Sequence, residues 1–116
     1  MSEALTIDFL RGIVRPSIFF KHGAHLKSIT SFAGVTYTSL LLYQEGSWIY
    51  ERQIAHPGEA SRSFGTFTLL GSLQEVKTKA FEYVLVAIAE QSALDATVRA
   101  ETFIERRRRA LREMNP

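Results

Sequence analysis

Five arginines crowd one end of the 116-residue sequence: Arg106, Arg107, Arg108, Arg109 and Arg112. A guanidinium offers a planar fork of donors that matches phosphate oxygens two at a time. Four in succession project all around a helix end, so two or three can meet one nucleic-acid backbone. One or two cations would satisfy the negative end of a helix dipole, and five exceed that need. The charge is local. Residues 106–116 set these five against Glu113, a net +4, while the other 105 residues hold nine Lys and Arg against eleven Asp and Glu, a net −2. The pI near 9.2 thus describes the tail, and a cluster of this kind implies one contact point for an anionic partner.

A second constellation lies around Glu45-Gly46. If these two residues form a tight turn, positions whose numbers sum to 91 face each other: Tyr43 with Trp48, Leu41 with Tyr50, Ser39 with Arg52 and Tyr37 with Ile54. Trp48, Tyr50 and Arg52 then share one side, which could serve as a stacking platform for unpaired bases. The same side can instead be the core side, packed under Val84 and Ile88, since large aromatics are usually buried. The opposite side carries Thr38, Leu40, Leu42, Ile49, Glu51 and Gln53.

Other chemistries find little support. His22, His25 and His56 read as surface-turn residues, and no metal ligand set or cofactor is expected. The absence of cysteine excludes disulfides, thiol nucleophiles and thiolate metal sites. No nucleophile–base pair, phosphate loop or dinucleotide fingerprint is visible, and the carboxylates are scattered, so a ribonuclease H-like reading lacks its acidic cluster. The expectation is a protein that is not an enzyme. The longest apolar run, Tyr83 to Ala89, has seven residues, far short of the roughly 20 that span a bilayer, and no leader opens the chain. A soluble, cytoplasmic protein without membrane contact is expected.

The elements that must position these residues follow from periodicity. Residues 2–14 suit a short amphipathic helix with Leu5, Phe9 and Ile13 in line, ending before Pro16. Stretches rich in β-branched and aromatic residues follow at Ser17–Lys21, Leu26–Phe32, Val35–Tyr43, Ser47–Ile54 and Phe64–Leu70, the first four closed by glycine-bearing turns. Residues 17–32 could alternatively form a second helix. Ser72-Leu73-Gln74-Glu75 is a capping box, and the helix it opens contains Ala80–Ala89, apolar except for Glu82. The fold class is α+β: a short N-terminal helix, an antiparallel meander of four to five strands, and a long C-terminal helix packed on the sheet. Residues 1–105 form one domain and 106–116 a basic helical tail.

A helix apolar on nearly every side needs cover beyond one sheet face. The N-terminal helix could supply it, or a partner subunit using Phe81, Val84, Leu85 and Ile88 as an oligomer interface. Farther on, the helix either continues or bends near Gln91. A thinner apolar stripe there includes Phe103, Ile104 and Leu111, and Asp95–Arg99 and Glu105–Arg109 are favourably spaced ion pairs. The element order over about Val35–Gln91 resembles that of a PUR-type repeat, a module that pairs up to bind single-stranded nucleic acid; the likeness assigns no site residues. Two functions fit. One is a non-enzymatic nucleic-acid-binding homo-oligomer that grips phosphate with the arginine cluster. The other is a protein-interaction module, such as an assembly factor, adaptor or inhibitor of phage or plasmid origin, meeting an acidic protein.

Overall fold

The computed structural model describes residues 5–114, and at 96–103, 106, 113 and 114 the backbone alone. The elements run α1 (Ile7–Ile13), β1 (Phe20–His22), β2 (His25–Phe32), β3 (Val35–Gln44), β4 (Ser47–Ala55), β5 (Arg62–Leu69) and α2 (Leu73–Met114). The strands form one antiparallel sheet in chain order, the expected meander. Ala33-Gly34 and Glu45-Gly46 both take positive φ at each central residue, the geometry of tight hairpin turns. The β3–β4 register is the one set by the Glu45-Gly46 turn, with Tyr43 opposite Trp48 and Tyr37 opposite Ile54. Residues 17–32 form no helix: they hold β1 and β2, and β1 is shorter than Ser17–Lys21 and begins only at Phe20. Ser17 and Phe19 reach the sheet by side chain instead of ladder, the Ser17 hydroxyl lying 2.9 Å from that of Thr30 and Phe19 packing against the core, while Ile18 between them is exposed.

Ser72 caps α2, its Oγ accepting from the Glu75 N–H at 3.2 Å and donating to the Glu75 carboxylate at 3.2 Å. The first half of α2 then crosses one face of the sheet. One core cluster joins Leu10 and Val14 of the N-terminal region to Val35, Tyr37, Ile54, Val84, Leu85, Ala87 and Ile88. A second joins Leu41, Tyr50, Leu69, Val76 and Ala80. The opposite sheet face, with Ile29, Leu40, Leu42 and Ile49, contributes to neither cluster.

α1 supplies the second cover that α2 requires. Arg11 forks onto Glu82, Nε to Oε1 at 3.2 Å, and the Leu5 N–H donates to the Ser92 hydroxyl at 3.3 Å. The Arg11 guanidinium holds the Glu82 carboxyl below the usual carboxylate range. Two expectations are corrected here. Val84, Leu85 and Ile88 are buried within a single chain and offer no oligomer interface, while Phe81 is half-buried. The buried face of α1 is also not Leu5–Phe9–Ile13. Thr6 caps the helix, so it starts at Ile7, and it lies on α2 through Leu10 and the flanking Val14, leaving Phe9 and Ile13 about half exposed. Among the described residues no helix is long and apolar enough to cross a membrane.

Leu10→Ala and Leu85→Ala are each expected to lower the unfolding free energy by about 2–5 kcal/mol in urea titrations, because both empty the same core. Phe9→Ala and Ile13→Ala, on the outer side of α1, should each cost no more than about 1 kcal/mol. A reversed ranking would show that the helix lies in the other rotation.

Candidate nucleic-acid interface

α2 is continuous over 42 residues, about 63 Å at 1.5 Å per residue, which accounts for most of the molecule's 68 Å long axis. It does not break at Gln91. The core cluster reaches Ile88, with Ala89 packed against it, and the Leu5 N–H, just ahead of α1, donates to Ser92. Beyond it, Leu94, Ile104 and Leu111 are about half exposed. A helix that has left its sheet carries the arginine cluster well away from the mildly acidic body.

Arg107, Arg108, Arg109 and Arg112 are exposed on this extension. Arg112 pairs with Glu105 at 3.4 Å, both side chains well exposed, so the contact is weak and screened by salt. Glu105 thus turns to Arg112, two helical turns away, and not to Arg109 as the i, i+4 spacing suggested. Among the described residues, Arg107, Arg108 and Arg109 form no ion pair. The side chains of Arg106, Phe103 and Arg99 lie outside the described residues. Asp95 accepts from the Gln91 amide at 2.9 Å.

The aromatic hairpin side faces α2. Tyr50 is fully buried, its ring against Phe67 and Tyr83, and its hydroxyl reaches Ser39 at 3.1 Å and the Ala80 carbonyl at 3.4 Å. Burial pushes the Tyr50 phenol up to about 12, and the Tyr37 phenol likewise to about 12. Tyr50 therefore cannot stack on a base, which corrects that expectation: the register is as expected, but the side is the core side. Trp48 is half-buried, edge-on to Tyr43 at 5.1 Å, and Tyr43 is the more exposed of the two.

Arg52 also points under the helix. Its guanidinium carbon lies 4.4 Å from the Phe64 ring centroid, 4.9 Å from that of Phe67 and 5.6 Å from that of Tyr83. A bulge in β5 aims Phe64 at it: Arg52 pairs with Gly65 and Gln53 with Ser63, so Phe64 is the extra residue. Arg52 donates weakly to the Phe64 carbonyl at 3.5 Å, and its Nε is buried without a hydrogen-bond partner. This cation is held by rings and is poorly placed to meet phosphate. Sequence reasoning missed the cage, although Gly65, a glycine inside a strand, was its signal. A Cβ there would stand 3.0 Å from both Arg52 Nη2 and Phe67 Cε2.

No protein-family model, curated protein or solved structure matches the chain. Among the described residues there is no group of three His, Asp or Glu that could hold a metal ion.

Gly65→Ala should destabilise the protein by about 1–3 kcal/mol, because Phe67 cannot yield as a free side-chain end can. Adding Arg52→Met should recover part of that loss in a double-mutant cycle. Strictly additive effects would argue that Arg52 does not occupy the Gly65 cradle.

Proposed function

We propose that this protein is a small, non-enzymatic nucleic-acid-binding protein that acts as a homo-oligomer and holds phosphate through the arginine-rich end of α2. The observation that carries this reading is the exposure of Arg107, Arg108 and Arg109 without ion pairs, among the described residues, on a helix that has run clear of the sheet. With Tyr50 in the core and Arg52 caged, the aromatic hairpin side offers base stacking the Tyr43–Trp48 edge alone among its described residues. Binding should therefore be dominated by phosphate contacts and show little sequence preference. Ile104 and Leu111, seven residues apart and so on one side of the helix, are half exposed and fit the association of copies along the extension.

A second reading is favoured by the same two residues. A half-exposed Ile104 and Leu111 beside exposed arginines would also suit a segment of an acidic protein partner, making the chain an adaptor or assembly factor. Nucleic acid is preferred because the described apolar residues are few and the cations many.

Binding of a single-stranded oligonucleotide should weaken with salt at a log–log slope of about −2 to −4, from two to four neutralised phosphates per subunit. Replacing Arg106, Arg107, Arg108 and Arg109 by glutamine should abolish binding at about 50 mM salt while changing stability by no more than about 0.5 kcal/mol. Unchanged binding by that variant would contradict the proposal. Recovery of one stable protein partner after nuclease treatment would favour the adaptor.

A further inference from the structure

The part of the sheet roofed by α2 is not uniformly apolar. Along β2 the helix-facing residues are Leu26, Ser28, Thr30 and Phe32, and along β3 they are Val35, Tyr37, Ser39 and Leu41. The ends are large and apolar, but the middle is hydroxyl. Ser28 and Ser39 are register partners, and Ser28, Thr30 and Ser39 are all buried, at 6%, 8% and 2% exposure. Burying hydroxyls costs about 1–3 kcal/mol each where they lack partners, and valine would fill the same places with no such cost. Small residues in this patch leave a cavity of about 400 Å³, roofed by Phe81 and Val84 and walled by the segment Pro16–Phe19. That volume lies within the roughly 300–1,000 Å³ usual for small-molecule sites.

The hydrogen bonds around the cavity define what it can recognise. Ser28 donates to the Ser17 carbonyl at 3.4 Å. Tyr50 donates to the Ala80 carbonyl, which leaves Ser39 as the donor in its 3.1 Å bond with Tyr50. Ser17 and Thr30 share one bond at 2.9 Å, which consumes the hydrogen of one of them. Three of the four hydroxyl hydrogens are thus committed, while each oxygen retains acceptor capacity. The floor is therefore mainly an acceptor surface and asks for an N–H or O–H. At the cavity's edge the Lys77 ammonium lies 5.8 Å from the Phe19 ring centroid, with no carboxylate partner among the described residues. Between floor and cation, Phe19, Phe81 and Val84 provide apolar wall.

We propose that this cavity binds a small aromatic carboxylate whose ring carries a hydroxyl or N–H donor. The ring lies against Phe19 and Phe81, its donor reaches the Ser28–Ser39 floor, and its carboxylate meets Lys77. The site uses none of the C-terminal arginines, so it stands or falls separately from nucleic-acid binding.

The test uses the full chain, with 4-hydroxyphenylacetate and indole-3-acetate as probes, read by saturation-transfer NMR and calorimetric titration. Both probes should bind with dissociation constants below about 1 mM. Phenylacetate, which lacks the ring donor, and 4-hydroxyphenethyl alcohol, which lacks the carboxylate, should each bind several-fold more weakly. Lys77→Gln should weaken the carboxylate probes about tenfold and leave the alcohol unchanged. Ser28→Val should fill the floor and remove binding, with thermal melting confirming a folded protein; Thr30→Val, of nearly equal size, serves if Ser28→Val does not fold. No binding by either probe up to about 1 mM would overturn the proposal. Equal binding of phenylacetate, or binding indifferent to both Lys77→Gln and the valine substitution, would overturn it too.

Discussion

Burial of Ala80–Ala89 on more than one side at once determines the rest of the architecture. Ala80 packs with Leu41 and Tyr50 of the sheet, and Val84, Leu85, Ala87 and Ile88 share one cluster with Val35, Tyr37 and Ile54 of the sheet and with Leu10 of α1. Such a segment exposed on one side would favour aggregation or obligatory association. Here a seven-residue helix suffices, because its hydrophobic contact is reinforced by the Arg11–Glu82 fork and the Leu5–Ser92 bond at either end of the seam. The chain thus completes its core without a second copy. Any oligomer must use other surfaces.

That division makes α2 a helix with two environments. As far as Ser92 it is a core element whose side chains are specified by packing. Farther on the backbone keeps the same helix, but the described side chains face solvent, and polar spacing and charge take over. A helix this long with little tertiary support draws its stability from the anchored half, since extending an existing helix is far cheaper than nucleating one. The anchored half therefore acts as the nucleus for the arginine-bearing half and holds that charge away from the body's carboxylates.

The β3–β4 register, both two-residue turns and the capping box were legible in the sequence because each is fixed by a local rule: glycine's tolerance of positive φ, period-two alternation, or a hydroxyl three residues before a carboxylate. What the sequence left open was which face of the sheet met α2, since both faces carry apolar residues and only tertiary packing decides. The same ambiguity explains Tyr50. The phase of α1 was not legible because apolar residues lie on more than one of its sides, Leu10 and Val14 as well as Phe9 and Ile13, and only packing on α2 selects the first pair. The Arg52 cage and the hydroxyl floor were not found because each is assembled from three or more elements, with Gly65 and the Ser28–Ser39 pair as the only traces.

The most direct test of this two-part helix is amide hydrogen exchange followed residue by residue, with and without a single-stranded oligonucleotide. Amides from Val76 to Ser92 should exchange only through global unfolding. Those from Ile104 to Arg112 should exchange far faster in the free protein and slow when the oligonucleotide is present. Uniform slow exchange along the whole helix in the free protein, or a distal segment unmoved by nucleic acid while the sheet responds, would contradict it.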